Sequence, residues 1–339
     1  METPDLQWID AQELCLEGLG FADTAHPYDR LPARAEGVVR DVIWGLAQRT
    51  PDVLVQFETD ATEIHARVVL RPPLNEESLY RKYLDLYLRD DGAWRWGGVS
   101  QFGFLPSGQT PLVTGLAQAT RACRLYLPPF FAVDRLWIGV PKGAGIRALP
   151  ARTERPVAVY GTSIVHGSSA SRPGMIFTGI LGRRLDAPVL NLGFSGSAIC
   201  EPELARFLAE LDPRFFVVDP LPNMNEARVR TNTEPFLRIL REARPETPIL
   251  MVEDRCHAHE WLHPEQREQR LAKRTAFREI YERLDQEAGG IMHYVEGDQL
   301  LGGDSDLTTD GSHPSDLGYR RMADVLEPVW RRLLALSPR

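Results

Sequence analysis

The chain has 339 residues, more than one ordinary core needs and enough for two domains that each bury an apolar interior. Lys and Arg number 39 against 47 Asp and Glu, a formal charge of -8, and the basic residues are spread rather than clustered, which argues against nucleic acid or an anionic membrane as partner. The start, Met1-Glu-Thr-Pro-Asp-Leu-Gln-Trp8, lacks the basic stretch and apolar run of a signal peptide, and no later apolar run reaches membrane-spanning length, so a cytoplasmic location without a membrane partner is expected. Cys15, Cys123, Cys200 and Cys256 form no C-x-x-C pair and read as free thiols rather than a disulfide framework.

From about Val38 to Pro141 short β-type runs alternate with turn residues. The runs are Val53-Leu-Val-Gln-Phe-Glu58, Ile64 to Leu70, Leu84-Asp-Leu-Tyr-Leu88, Arg124-Leu-Tyr-Leu127 and Arg135 to Val140. Pro72-Pro73, Asp90-Asp91-Gly92, Gly97-Gly98 and Pro128-Pro129 supply the breaks. This pattern predicts an all-β, jelly-roll-like sandwich over residues 1–150. Lys142 to Pro150 has the glycine and proline content of a short linker. From 151 to 339 the pattern switches to buried strands alternating with helices, the signature of an α/β domain with a parallel five-stranded sheet between helical layers. The predicted strands are Val157–Tyr160, Val189–Leu192, Phe215–Asp219, Ile249–Glu253 and Ile291–Val295. The predicted helices are Pro173–Leu185, Glu201–Leu211, Thr233–Ala243, Pro264–Ala288 and Pro314–Leu336, several opened by a first-turn proline.

In such open sheets chemistry gathers beyond the carboxyl ends of the strands. The first strand runs into Tyr160-Gly-Thr-Ser163-Ile-Val-His166-Gly167, where a serine would lie beside the amides of the next segment; by itself that is equally the position of a helix cap. The G-x-S-x-G elbow is absent, because Val165 stands in place of its last glycine. The second strand leads to Gly193-Phe-Ser-Gly196-Ser197, and the third to Asp219-Pro-Leu-Pro-Asn223-Met-Asn225. Gly196 could let a substrate approach the backbone, and an Asn could donate to it, although turn chemistry explains either residue alone. The loop before the last helix holds Asp310-Gly-Ser-His313-Pro314, close enough in sequence for the carboxylate to hold one imidazole nitrogen while the other faces a nucleophile. Both this loop and that of Ser163 should open at the same end of the sheet. Cys256-His257-Ala-His259-Glu260-Trp-Leu-His263-Pro264 contains H-E-x-x-H, but Pro264 pushes His263 out of the helical region that a zinc pair would need, so no metal and no cofactor are expected. His166 reads as a helix-face or cleft-wall residue.

Ser, Gly, Asn and Asp-x-x-His, in that order, resemble the blocks of the SGNH hydrolases, also called GDSL esterases and lipases. Tyr83-Leu-Asp85-Leu-Tyr87 is similar to the GxDLY segment of one branch, which extends the likeness into the β-rich half. The resemblance implies a flavodoxin-like three-layer domain and a serine esterase forming an acyl-enzyme on Ser163. It implies His313 as base and Asp310 as its partner, with an oxyanion hole from the Ser163 and Gly196 amides and the Asn223 side chain; Asn225 stays open as an alternative donor. Thr162 departs from the aspartate of G-D-S, Met224 from the aspartate after the third block, and Tyr83 from the glycine of GxDLY. The expected partner is a small-molecule ester, such as an O-acetylated carbohydrate or another polar metabolite, with Trp94, Trp96 and Trp137 as core residues or a sugar-facing surface. An acyltransferase with the same apparatus, an inactive carbohydrate-binding protein, and a homo-oligomer all remain open.

Overall fold

The computed structural model describes residues 5–72, 84–100 and 107–336. Two compact units divide it. One comprises Met1–Ala33, Ala47–Thr153 and Arg172–Gly174, and the other Arg34–Leu46, Glu154–Ser171 and Met175–Arg339.

The first unit holds antiparallel strands β1 (Leu6–Asp10), β2 (Cys15–Glu17), β3 (Leu54–Thr59), β4 (Ile64–Leu70), β5 (Asp85–Asp90), β6 (Ala93–Val99), β7 (Ser107–Val113), β8 (Arg121–Tyr126), β9 (Val133–Pro141) and β10 (Ile146–Ala148). They form a four-stranded sheet, β1-β9-β4-β7, and a six-stranded sheet, β10-β3-β8-β5-β6 with β2 on β3. Alternation in β4 sends Ile64, Ala66, Val68 and Leu70 into the same core that receives Val55, Phe57, Leu86 and Leu125 from the other sheet. The segment before Val38, where no strand was expected, supplies β1 and β2. Gly97-Gly98, read as a turn, lies inside β6: a Cβ on Gly98 would meet Leu112 O at 1.9 Å, so the glycine serves close backbone approach rather than a reversal. Tyr83 and Pro73 lie outside the described residues.

The rest of the GxDLY-like segment has a definite task in this unit. The buried Asp85 carboxylate accepts bonds from Trp96 Nε1 (3.0 Å), Arg172 Nη1 (2.7 Å) and the Gly174 N–H (2.8 Å), while Arg172 also meets Tyr87 Oη at 2.6 Å. A side chain on Gly174 would collide with the Tyr87 ring at 2.5 Å. Trp96 and Trp94 stand against the guanidinium groups of Arg172 (5.3 Å) and Arg124 (4.2 Å), so these two rings already have partners within the protein.

In the second unit strands β11 (Val157–Gly161), β12 (Val189–Gly193), β13 (Phe215–Asp219), β14 (Ile249–Val252) and β15 (Met292–Val295) are all parallel, in the order β12-β11-β13-β14-β15. This is the doubly wound SGNH α/β arrangement, and its strand order reverses at β11, so the crevice beyond the ends of β11 and β13 is the natural site. Helices α2 (Ser163–His166), α3 (Phe177–Arg184), α4 (Pro202–Glu210), α5 (Glu226–Ala243), α6 (Pro264–Ala288), α7 (Gly297–Leu301) and α8 (Asp316–Leu336) complete the unit, with α1 (Asp41–Ala47) on the segment it borrows from the amino-terminal region. The helix α5 begins well before the expected Thr233. Asn225 caps it by accepting the Arg228 N–H at 3.0 Å, and Pro235 lies in its interior. Pro173–Met175 forms a 3-10 turn, and α3 starts at Phe177.

Trp330 on α8 is fully buried and meets Phe215 of β13 edge-on at 5.4 Å. Its Nε1 has no acceptor among the described residues. Trp330→Ala should therefore cost about 3–5 kcal/mol in urea unfolding, whereas Trp330→Phe, which sacrifices area but no hydrogen bond, should cost clearly less; equal losses would contradict this packing.

Candidate active site

Glycine ends both β11 and its neighbour β12. Gly161 faces Gly193 on one side and Asp219 on the other, and a Cβ at Gly161 would lie 2.4 Å from Val165 while one at Gly193 would lie 2.3 Å from the His166 backbone nitrogen. The short helix α2 thus sits directly on the strand ends. Thr162 caps it through the Ile164 N–H at 3.4 Å, so a hydroxyl does the capping where a G-D-S sequence would place a carboxylate. Asn191 Nδ2 donates to Val165 O at 2.7 Å, and Tyr319 of α8 donates to Ile164 O (3.0 Å) and Ser168 O (2.8 Å). Ser163 opens this clamped turn with 7% of its surface exposed.

Ser163 Oγ lies 2.8 Å from His313 Nε2, and His313 Nδ1 lies 2.6 Å from Asp310 Oδ2. The second Asp310 oxygen accepts the N–H groups of Ser312 (3.0 Å) and His313 (2.8 Å). Partial burial works against the Asp310 charge, but these backbone bonds and the imidazole outweigh it and hold the carboxyl at about 2. A carboxylate depressed in this way is fully ionised above the ordinary range and loses its charge only as the pH falls through about 2.

The loop bearing the pair is gripped by the segment after β14. Ala258 N–H donates to Gly311 O at 2.8 Å, and a Cβ on Gly311, which sits at φ 89, would come 2.2 Å from His259 Nδ1. His259 Nε2 in turn meets Gln266 Oε1 at 2.8 Å. His263 stands outside α6 as its N-cap, and Glu260 is taken by Arg270 in two bonds, the longer 2.7 Å. Of the H-E-x-x-H residues, His259 therefore lies against the loop, while Glu260 is committed to a guanidinium. No group of three or more His, Cys, Asp or Glu suited to a metal ion occurs among the described residues.

The other two loops converge on each other. Asn223 Oδ1 accepts the Ala198 N–H at 3.2 Å, tying the third loop to the second and leaving its Nδ2 to donate elsewhere, while Asn225 is engaged as the cap of α5. Gly196 sits at φ 68 with open space where a Cβ would point. Arg40, which the sequence did not single out, donates to Ser197 O at 2.6 Å and to Glu201 Oε1 at 2.5 Å. Two buried ion pairs, also unforeseen, underlie the third loop. Arg255 grips Asp219 through both carboxylate oxygens, one at 2.7 Å, and Lys273 joins Asp254 (2.5 Å) to Leu221 O (2.9 Å). Burial pushes the Asp219 carboxyl up to about 6 against the pull of Arg255, whose own charge the pair preserves. The run Glu253-Asp254-Arg255 directly after a buried strand was the available signal.

The profile described as the GDSL-like lipase/acylhydrolase family matches residues 154–331. The chain belongs to this family. Residues 6–146 match the profile described as GxDLY, the N-terminus of Esterase_SGNH_hydro-type. Among solved structures, a Bacteroides ovatus chain carrying the description GDSL-like lipase is 29% identical, with 98% of each chain covered and a TM-score of 0.92. A salicylyl-acyltransferase, SsfX3, from a tetracycline biosynthetic pathway shares the fold at 18% identity, 97% coverage of each chain and a TM-score of 0.79. A family two carbohydrate esterase from Clostridium thermocellum, in complex with cellohexaose, shares it at 15% identity, covering 84% of this chain and 93% of its own, with a TM-score of 0.62. No curated protein matches. Among the described residues no helix is long and apolar enough to cross a membrane. The cysteines are unbridged, Cys123 and Cys200 buried and Cys15 and Cys256 half-buried.

Two outcomes test this geometry. Gly311→Ala should lower ester turnover at least about tenfold while the protein stays folded, because the added methyl forces apart two loops whose spacing sets the imidazole; unchanged kinetics would show that the His259 contact does not matter. A kcat/KM profile from pH 4 to 9 should show no titration attributable to Asp310, which stays charged throughout; an acid-side ionisation near 4 that Asp310→Asn removes would contradict its depressed position.

Proposed function

We propose that the protein is a serine esterase that cleaves a small acyl ester through an acyl-enzyme on Ser163. The observation that carries this reading is the unbroken line of contacts from the Ser163 hydroxyl through the His313 imidazole to the Asp310 carboxylate. A serine hydroxyl is a poor nucleophile near neutrality. His313 Nε2 takes its proton as Oγ attacks the ester carbonyl, and Asp310 holds the ring in the tautomer with its proton on Nδ1 and stabilises the imidazolium. Negative charge grows on the carbonyl oxygen, where the Ser163 and Gly196 N–H groups and Asn223 Nδ2 serve as fixed donors. His313 then protonates the departing alcohol. Water, deprotonated by the same imidazole, attacks the acyl-enzyme and regenerates Ser163. An acceptor alcohol in place of water would make the protein an acyltransferase, the activity named for the similar SsfX3; product analysis with acceptors present separates the two, since hydrolysis gives only free acid.

Ser163→Ala should reduce hydrolysis of p-nitrophenyl acetate by about 10⁴-fold or more and abolish labelling by a fluorophosphonate probe, with an unchanged circular dichroism spectrum. Substantial remaining turnover would sink the assignment. Asn223→Ala should lower kcat about 10²–10³-fold with little change in KM, as expected for a donor used mainly in the transition state; a change confined to KM would move Asn223 out of that role.

A further inference from the structure

The peptide that joins Ser197 to Ala198 is bonded on both sides. Arg40 Nη2 donates to its carbonyl, Ser197 O, at 2.6 Å, and its N–H, on Ala198, donates to Asn223 Oδ1 at 3.2 Å. A backbone N–H can only donate, so the atom of the Asn223 carboxamide that faces it must be the oxygen. That choice turns Nδ2, the proposed donor to the oxyanion, to the other side of the carboxamide. The orientation of Asn223 thus depends on this peptide, and a guanidinium holds the peptide's far end.

The guanidinium is itself fixed. Arg40 Nε donates to Glu201 Oε1 at 2.5 Å, and Glu201 is the N-cap residue of α4. If Arg40 served only to dock its segment on α4, the Glu201 pair would be enough. Arg34, from the same segment, already docks it through Glu210 (2.8 Å) and the Phe207 ring (5.5 Å to the centre). Exposed ion pairs of this kind add little stability. The bond to Ser197 O is what docking leaves unexplained. A charge-assisted bond to a carbonyl is stronger than a neutral one, and it polarises the peptide so that the N–H on the other side binds its acceptor more firmly. Neighbouring positions have other holders. Ser197 N–H closes the turn around Gly196 onto Phe194 O at 3.0 Å, Asn232 Nδ2 donates to Ile199 O at 2.9 Å, and Tyr160 Oη accepts the Cys200 N–H at 2.9 Å. The pull of Arg40 therefore falls on the peptide that faces Asn223. We infer that Arg40 is a positioning residue for the oxyanion hole, acting through the Ser197–Ala198 peptide on the Asn223 carboxamide. The inference rests on the esterase reading and deepens it, because it gives part of the acyl-transfer apparatus to a residue 157 positions before Ser197.

The test reads turnover and the peptide separately. With p-nitrophenyl acetate, Arg40→Met should lower kcat at least about tenfold while KM stays within about twofold, the pattern of a weakened transition-state donor. In an Asn223→Ala background the same change should cost less than about threefold, because the group it acts through is gone. Arg34→Met, which removes the other clamp of the segment, should leave kcat unchanged. Hydrogen exchange at the Ala198 amide should quicken at least about tenfold in Arg40→Met and stay as it was in Arg34→Met. Should Arg40→Met fail to fold, Arg40→Lys takes its place: an ammonium cannot repeat the guanidinium fork between Glu201 and Ser197 O, so the same pattern in smaller measure is expected. Equal losses with and without Asn223, a change confined to KM, an equal loss in Arg34→Met, or unaltered exchange at Ala198 would overturn the inference. A wild-type protein without ester turnover would strike the esterase reading instead, and the exchange result would then decide by itself whether Arg40 governs the contact with Asn223.

Discussion

A hydroxyl at the end of the first parallel strand and an imidazole just before the last helix, 150 residues away, lie within one hydrogen bond of each other. Nothing local holds them there. The contact exists because the parallel sheet brings all its strand ends to one rim, and because the two loops are each pinned from outside. Tyr319 and Asn191 fix the turn that presents Ser163, while Ala258 and His259 fix the loop that presents His313. A hydrogen bond of this kind contributes only about 0.5–1.5 kcal/mol net. The geometry is therefore a product of the scaffold, and the bond reports it rather than enforces it.

Charge is handled differently above and below the rim. At the surface of the site Asp310 is half-exposed and draws its low pKa from backbone N–H groups and the imidazole, so its charge needs no burial. Beneath the third loop Asp219 with Arg255 and Asp254 with Lys273 are buried pairs, costly to desolvate and strongly destabilising to break singly. Lys273 also reaches Leu221 O, at the start of the turn that ends in Asn223. These pairs give the polar third loop a rigid underside without consuming the Asn223 amide.

The β-rich unit has its own fixed point in Asp85, which gathers Trp96, Arg172 and the Gly174 N–H around one buried carboxylate. Arg172–Gly174 comes from the chain between α2 and α3, so the described part of the GxDLY-like segment and three residues from deep in the hydrolase sequence belong to one compact unit. The same contacts give Trp96 an internal partner.

Much of this protein was legible in its residues. Five apolar runs with proline-opened helices between them could only be a parallel α/β sheet, since buried strands of that kind need cover on both faces. The order of Ser163, Gly196, Asn223, Asp310 and His313 resembles the SGNH blocks and so named the candidate site, and loops after parallel strands share one rim whatever lies between them. The misreadings came where one residue type serves opposite ends. Pro235, two residues beyond the predicted start at Thr233, sits deep inside α5 once Asn225 supplies the cap, and Gly97-Gly98 reads as a reversal until the carbonyl of Leu112 claims the space of a side chain. Only the tertiary structure could decide that Asn225 caps a helix while Asn223 faces the second loop. It alone could show that Arg40, Arg255, His259 and Lys273 hold the site from beneath and beside. Those roles depend on partners 36 to 161 residues away for Arg255 and Arg40, and no local pattern encodes which distant carboxylate or carbonyl a long cationic side chain will reach.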